Sequence, residues 1–187
     1  MAEKRKNWNG LISGFSASDL VFLDESGCNT DMTRRYAYSL GGSRAVDSTP
    51  LSKPKNTTIL SSIQLDGTLR YTTFSGGTTV ERFKRYLETD LLPHLNGNSV
   101  LIMDNMKSHH AKAVKNLLDS SEVRYIYLPP YSPDLNPIEK LWSKVKAFLR
   151  KFKARTLDAL PNAIQNAFHS VTISDCSGWF RFCGYAL

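Results

Sequence analysis

Cysteine is scarce in this chain. The three residues, Cys28, Cys176 and Cys183, are an odd number with no CxxC pair. Such a set supports neither a disulfide framework nor a zinc site, and it fits a reducing cytosol, where the Asn56-Thr57-Thr58 sequon means little. Long apolar runs are missing as well. None exceeds four residues (LVFL, VLIM, YIYL), which rules out a transmembrane helix. The opening MAEKRKNWNG has positive charge but no apolar h-region, so no secretory signal is expected. Neither GxxxxGK(S/T) nor GxGxxG occurs, and nucleotide-driven chemistry therefore has no support. There is no internal repeat, low-complexity tract or long linker.

What remains is the balance of a folded chain: 187 residues, 41% hydrophobic and 22% charged, enough for one domain with its own core. Lys and Arg outnumber Asp and Glu by 24 to 17, a net charge of +7 that favours a polyanionic partner without telling DNA from RNA or membrane. Residues 1–18 read as a short, frayed lead-in, and residues 19–187 as the domain. Leu20–Leu23 forms a buried strand ending at Asp24, and Arg34–Leu40 a weakly alternating second strand stopped by Gly41-Gly42. Residues 43–56 read as a loop. Thr57–Leu65 and Thr68–Phe74 make a hairpin about a two-residue Asp66-Gly67 turn with positive φ at both positions. Val80–Leu92 has helical spacing, Val100–Met103 is a buried strand ending at Asp104, and Ser108 caps a helix to about Asp119. A strand over 123–128, a proline-rich stretch, a helix from Pro137 to about Lys153, and helices near 157–169 and 174–182 complete the chain. Antiparallel strands followed by βαβ units predict a mixed sheet with helices on its faces.

Asp24 and Asp104 each end an apolar strand. Were those strands parallel neighbours, about 4.8 Å apart, both carboxylates would emerge together at the carboxyl edge of the sheet. Two such charges repel unless a cation sits between them, and carboxylate oxygens with retained waters suit Mg²⁺. Alternatively, each is a plain turn residue. Glu139 is a third candidate. Asn136-Pro137-Ile138-Glu139 equally reads as an N-cap, a first-turn proline and the glutamate of a capping box. Asp134 is accounted for by turn chemistry.

Three segments, VFLDESGCNT (21–30), VLIMDNMKSHH (100–110) and LPPYSPDLNPIEKLWSKVKAFLR (128–150), resemble the catalytic domain of transposases in the Tc/mariner superfamily, in its bacterial insertion-sequence branch. The resemblance runs from about Leu20 to Tyr185 and takes in KARTLDAL and WFRFCGY. Thirty-four residues lie between Asp104 and Glu139, similar to the family's spacing. The resemblance implies a ribonuclease H-like α/β fold with a five-stranded mixed sheet, and a catalytic, metal-holding triad of Asp24, Asp104 and Glu139. It also implies Mg²⁺, with Mn²⁺ as a substitute and two ions about 3.5–4 Å apart, driving strand cleavage and then strand transfer on double-stranded DNA. A homo-oligomer on DNA and a bacterial cytoplasmic, nucleoid-associated setting follow by the same resemblance.

The family often has a histidine where His109 stands. It serves either as a contact to the scissile phosphate, as an outer partner of the site, or as an exposed first-turn residue; Lys107 and His110 are read in the same way, with Lys107 a nucleic-acid contact beside His109. Lys140, Lys144, Lys146, Arg150, Lys151, Lys153 and Arg155 form an outer stripe opposite Leu141, Val145, Phe148, Leu149 and Phe152. That stripe is either a solvated face or a DNA-backbone contact, chiefly through Lys140, Lys144 and Lys151. Trp8, Trp142 and Trp179 read as packing residues. Family members carry helix-turn-helix domains that residues 1–18 cannot form, so end binding is expected from a separate chain, or the copy is a truncated one that binds DNA or a partner without cutting. Pro161, inside the helix near 157–169, is expected to remove a backbone hydrogen bond and to mark a drifting element. A host nuclease of the ribonuclease H type is the remaining alternative.

Overall fold

The computed structural model describes residues 2–34, 36–51 and 54–185. Five strands form one sheet: β1 (Leu20–Cys28), β2 (Thr57–Ile63), β3 (Leu69–Ser75), β4 (Val100–Met103) and β5 (Arg124–Tyr127), in the order β3-β2-β1-β4-β5. The β1–β2 and β2–β3 pairs are antiparallel, and β1–β4 and β4–β5 parallel. Strand alternation then divides the core. Leu20, Phe22, Val100 and Ile102 face α4 (Ile138–Phe152), α5 (Ala159–His169) and α6 (Ile173–Phe182). Val21, Leu23, Leu101 and Met103 face α2 (Val80–Tyr86) and α3 (Lys112–Ser120). The central strands are apolar on both faces because helices cover both.

Several elements differ from the sequence expectation, each for a physical reason. No strand forms among the described residues of 34–40 (Arg35 lies outside them); β1 is already flanked by β2 and β4, so the sheet has no free place beside it. The hairpin turn is longer than two residues. Gln64 N–H donates to Thr68 and Gly67 N–H to Gln64, and only Gly67 has positive φ (88°), the form of a three-residue loop closed by a glycine bulge. The helix from Val80 passes at Leu87–Leu91 into one π-helical turn before Pro93. Ser108 caps nothing. α3 starts at Lys112, because residues 105–110 turn tightly to bring His109 beneath Asp104. On α4, Ile138, Leu141, Trp142, Val145 and Leu149 are buried, while Phe152 is half-exposed. Pro161 is the third residue of α5, where its missing N–H would have had no intrahelical acceptor, so it costs the helix no bond.

The largest difference is at the beginning of the chain. The stretch expected to fray contains a helix, α1 (Ala2–Ile12), whose Trp8 (3% exposed) and Ile12 pack into the core beside α4 and Tyr185. The helix is polar but for this face, so periodicity gave little signal. Among the described residues no helix is long and apolar enough to cross a membrane. Trp8→Ala is expected to lower stability by about 3–5 kcal/mol, measured by urea denaturation. A change within ±0.5 kcal/mol would mean that α1 does not dock in solution.

Candidate active site

The parallel register of β1 and β4 ends at Leu23↔Met103, so the next residues, Asp24 and Asp104, stand level on the same face of neighbouring strands. β1 itself runs on to Cys28, paired only with β2. Asp24 is therefore not a strand end, as the sequence suggested, but the point at which β4 leaves its partner. Glu139 sits in the first turn of α4, exposed, and all three side chains line one cleft of about 520 Å³. Its far wall is the proline loop Pro129–Pro133.

Glu139 makes no capping box. The cap of α4 is Pro137 and no side chain bonds the first turn; the N–H of Glu139 bonds the carbonyl of Asn136, and its carboxylate is left to the cleft. Asp24 is 8% exposed. It accepts the N–H of Glu25 at 2.7 Å and the indole N–H of Trp142 at 3.3 Å. Burial is the main reason that its carboxyl is pushed up to about 7; the Glu25 N–H opposes this, and the charges of Asp104, Glu139 and Glu25 add to it. Trp142, read from sequence as packing only, thus also holds Asp24. Its place one turn after Glu139 on α4 was the available signal.

Asp104 is half-exposed. Its Oδ1 accepts the N–H of Met106 at 3.0 Å and lies 2.8 Å from Nδ1 of His109. Burial acts to raise its carboxyl, but the bonds from His109 and Met106 outweigh it and hold the group below its usual value. Neighbouring Asn105 donates to the carbonyl of Leu128, and Leu128 N–H to Met103, tying the turn after β4 to the end of β5.

His109 is wholly buried, which corrects its reading as an exposed residue or a direct nucleic-acid contact. Its Nε2 lies 3.2 Å from Oε2 of Glu25, Phe83 stacks on its ring with centroids 4.2 Å apart, and Tyr127 donates to its carbonyl at 2.9 Å. Burial pulls the imidazole down, but the bonds to Asp104 and Glu25 win and raise it to about 9. Sequence reasoning missed Glu25. Period-2 alternation puts it on the opposite face from Asp24, under the helix that holds Phe83, and an isolated acid there was the signal.

The lysine stripe divides. Lys140 sits 3.8 Å over the ring of Phe182, and Lys144 pairs with Asp175 at 2.5 Å, so both are engaged by α6 rather than free for a partner. Lys153 pairs with Asp47 and Arg155 binds the carbonyls of Thr30 and Met32. Lys151 and Lys107 are exposed. Lys144, Arg150 and Lys151 line, with Arg34 and Tyr36, a second open cleft of about 780 Å³ that contains no acid. Arg5 of α1 binds Asp134, the carbonyl of Tyr131 and Ser132, clamping the proline loop. Within that loop Tyr131 holds φ 56°, an uncommon conformation for a non-glycine residue. The three cysteines are buried, free and pushed up to about 11 by burial, so none is an activated thiol.

The donor set in the carboxylate cleft is all oxygen, which suits a hard divalent cation such as Mg²⁺. Among the described residues, no three His, Cys, Asp or Glu side chains are close enough to hold a metal ion as they stand. Like charges without a counter-ion repel, and drawing Glu139 toward Asp24 and Asp104 needs one.

Residues 19–161 match the DDE superfamily endonucleases, and the chain belongs to that family. Its relatives are Tc1/mariner transposases. It is 29% identical over 97 residues to the Tc1 transposase of Caenorhabditis elegans, covering 50% of this chain and 36% of that protein. To the Tcb2 transposase of Caenorhabditis briggsae it is 31% identical over 75 residues, 40% of this chain and 28% of that protein. The matched stretches thus span about a third of those relatives' length. The catalytic domain of Mos1 mariner transposase superposes with a TM-score of 0.73 at 16% identity, over 96% of this chain and 85% of that one. The Mos1 paired end complex with Mn superposes with a TM-score of 0.75 at 19% identity, over 95% of this chain and 57% of that one. The fold is ribonuclease H-like.

Asp24 gives a stability test. Its folded-state value, about 7, lies above the ordinary 3.8, so ionising it opposes folding; the penalty is absent below about pH 4 and complete above about pH 7. The difference corresponds to on the order of 4 kcal/mol. In metal-free buffer, Asp24→Asn is expected to raise the calorimetric melting temperature at pH 8, the gain fading toward pH 4. A lower melting temperature at pH 8 would contradict this account of the carboxylate.

Proposed function

We propose that this chain is the catalytic domain of an insertion-sequence DNA transposase, cleaving DNA strands and transferring their ends with a divalent metal. The observation that carries the reading is Asp24: a buried carboxylate, hemmed in by Asp104 and Glu139 at the wall of one cleft. Family membership and the Mos1 paired end complexes solved with Mn and with Mg support it. Asp24 and Asp104, from the sheet edge, and Glu139, from the start of α4, would hold the ions, Mg²⁺ or Mn²⁺ and two in number. When bound, such ions activate a water or 3′-hydroxyl and stabilise the leaving oxygen at phosphorus.

The chain's own residues supply the rest. Trp142 fixes one oxygen of Asp24, and His109 fixes Asp104. Arg5 keeps the proline loop in place as the opposite wall. Lys107 and Lys151, with Arg150, offer sequence-independent contacts to the DNA backbone. Transposon ends and target duplex are the partners in this reading. A helix-turn-helix part, on another chain or segment, would recognise the ends, and the active form would be a homo-oligomer on DNA in the bacterial cytoplasm.

Supercoiled plasmid with Mg²⁺ or Mn²⁺ tests the chemistry. Asp104→Asn is expected to cut nicking by more than about 100-fold, beyond the effect of losing an outer partner. Equal nicking by both proteins would remove the proposal. For the backbone contact, Lys151→Ala is expected to weaken duplex binding alike on all sequences and to lower the salt-dependence slope by about 1, measured by fluorescence anisotropy. An unchanged slope would take Lys151 out of the interface.

A further inference from the structure

Glu25 has no part in the reading above. It lies on the face of β1 opposite Asp24, its side chain 12% exposed, with Oε2 against Nε2 of His109 and Oε1 buried without a partner. A carboxylate so placed is a poor contributor to stability, since a buried oxygen left unbonded costs free energy. Its one bond leads elsewhere. The His109 ring is set by Phe83 on its face and by Tyr127 at its carbonyl, and its other nitrogen, Nδ1, meets Asp104 twice, at the backbone carbonyl at 3.3 Å and at Oδ1 at 2.8 Å. Two carboxylates flank one imidazole, and carboxylates only accept, so both ring nitrogens must donate. The line Glu25–His109–Asp104 therefore runs across the sheet edge at the back of the cleft, which Glu25 itself also borders, and holds Asp104 at its carbonyl and at one carboxylate oxygen. The carboxylate as a whole lines the cleft that Glu139 also lines.

We propose that Glu25 is a positioning residue for Asp104, acting through His109. This deepens, and rests on, the reading of the cleft as a divalent-cation site. Carboxylate–histidine pairs that orient a ligand lose about 10–100-fold in metal affinity when the outer member is removed.

The test uses the whole chain and Mn²⁺ alone, followed by loss of the free-ion electron paramagnetic resonance signal. Glu25→Ala is expected to weaken Mn²⁺ binding about tenfold, while Glu25→Gln, whose carbonyl still accepts from Nε2–H, stays within about threefold of the parent. In an Asp104→Asn background, Glu25→Ala is expected to add no further loss. Equal loss in both backgrounds, or Gln behaving as Ala, would overturn the proposal, because either points to bulk charge rather than orientation. Nuclear magnetic resonance supplies a readout without metal. His109 is expected to show two slowly exchanging imidazole protons in the parent, and Glu25→Ala to speed exchange of the Nδ1 proton that faces Asp104. A parent with a single protected proton, or an Nδ1 proton indifferent to the change, overturns the proposal even if Glu25→Ala folds poorly. Absence of any Mn²⁺ binding by the parent would instead strike the cation reading of the cleft, and the proton exchange would still decide the role of Glu25.

Discussion

The arrangement turns on one piece of backbone geometry, the parallel pairing of β1 with β4. Four paired residues, Leu20 to Leu23 against Val100 to Met103, are enough to bring Asp24 and Asp104 level at the place where the strands part. Everything else at the cleft is built around that level. Strand pairing is rigid because each ladder bond is short and directional, and the helices on both faces leave β1 and β4 no room to slip. The acids are therefore held near one another whether or not anything neutralises them.

That constraint has an energetic consequence, and the surrounding residues answer it differently for the two aspartates. Asp24 is driven into the apolar layer, where the Glu25 amide and the Trp142 indole are its hydrogen-bond donors among the described residues, so its carboxyl rises to about 7. Asp104 faces the cleft mouth and is joined to a histidine whose positive form is favoured by two acids, so its carboxyl falls. Two like groups one strand apart thus differ in character because one meets a hydrocarbon layer and the other a cation. A protein selected for stability alone would hold no such pair, which is why a concentration of acid in a cleft points to chemistry.

The helix at the start of the chain joins the same system from outside. Its Trp8 enters the core while its Arg5 grips Asp134 and the proline loop, so a short polar segment braces the wall opposite the carboxylates. Lysines on α4 show the reverse. They resemble a stripe offered to a polyanion, yet Lys140 and Lys144 are occupied by Phe182 and Asp175 of the last helix, and the cations left to solvent lie nearer the far end of α4 or after β4.

Local pattern alone determined the strands and helices that carry strong periodicity, such as Leu20–Leu23, Val100–Met103 and the Leu141–Val145–Leu149 face. It also offered Asp24, Asp104 and Glu139 as separate candidates, which only the resemblance of three irregular segments joined into a triad, and Asp24 lies inside β1 rather than at its end. The sequence misjudged what depends on distant partners. Residues 2–12 fold because a core waits for Trp8, and Arg34–Leu40 gains no strand because β2 and β4 already fill both sides of β1. The turn after Asp104 tightens to reach His109, and Glu25 matters only because Phe83, Tyr127 and His109 converge on the far side of the sheet. Burial and contact across the sheet are set by topology, and topology is a property of the whole chain.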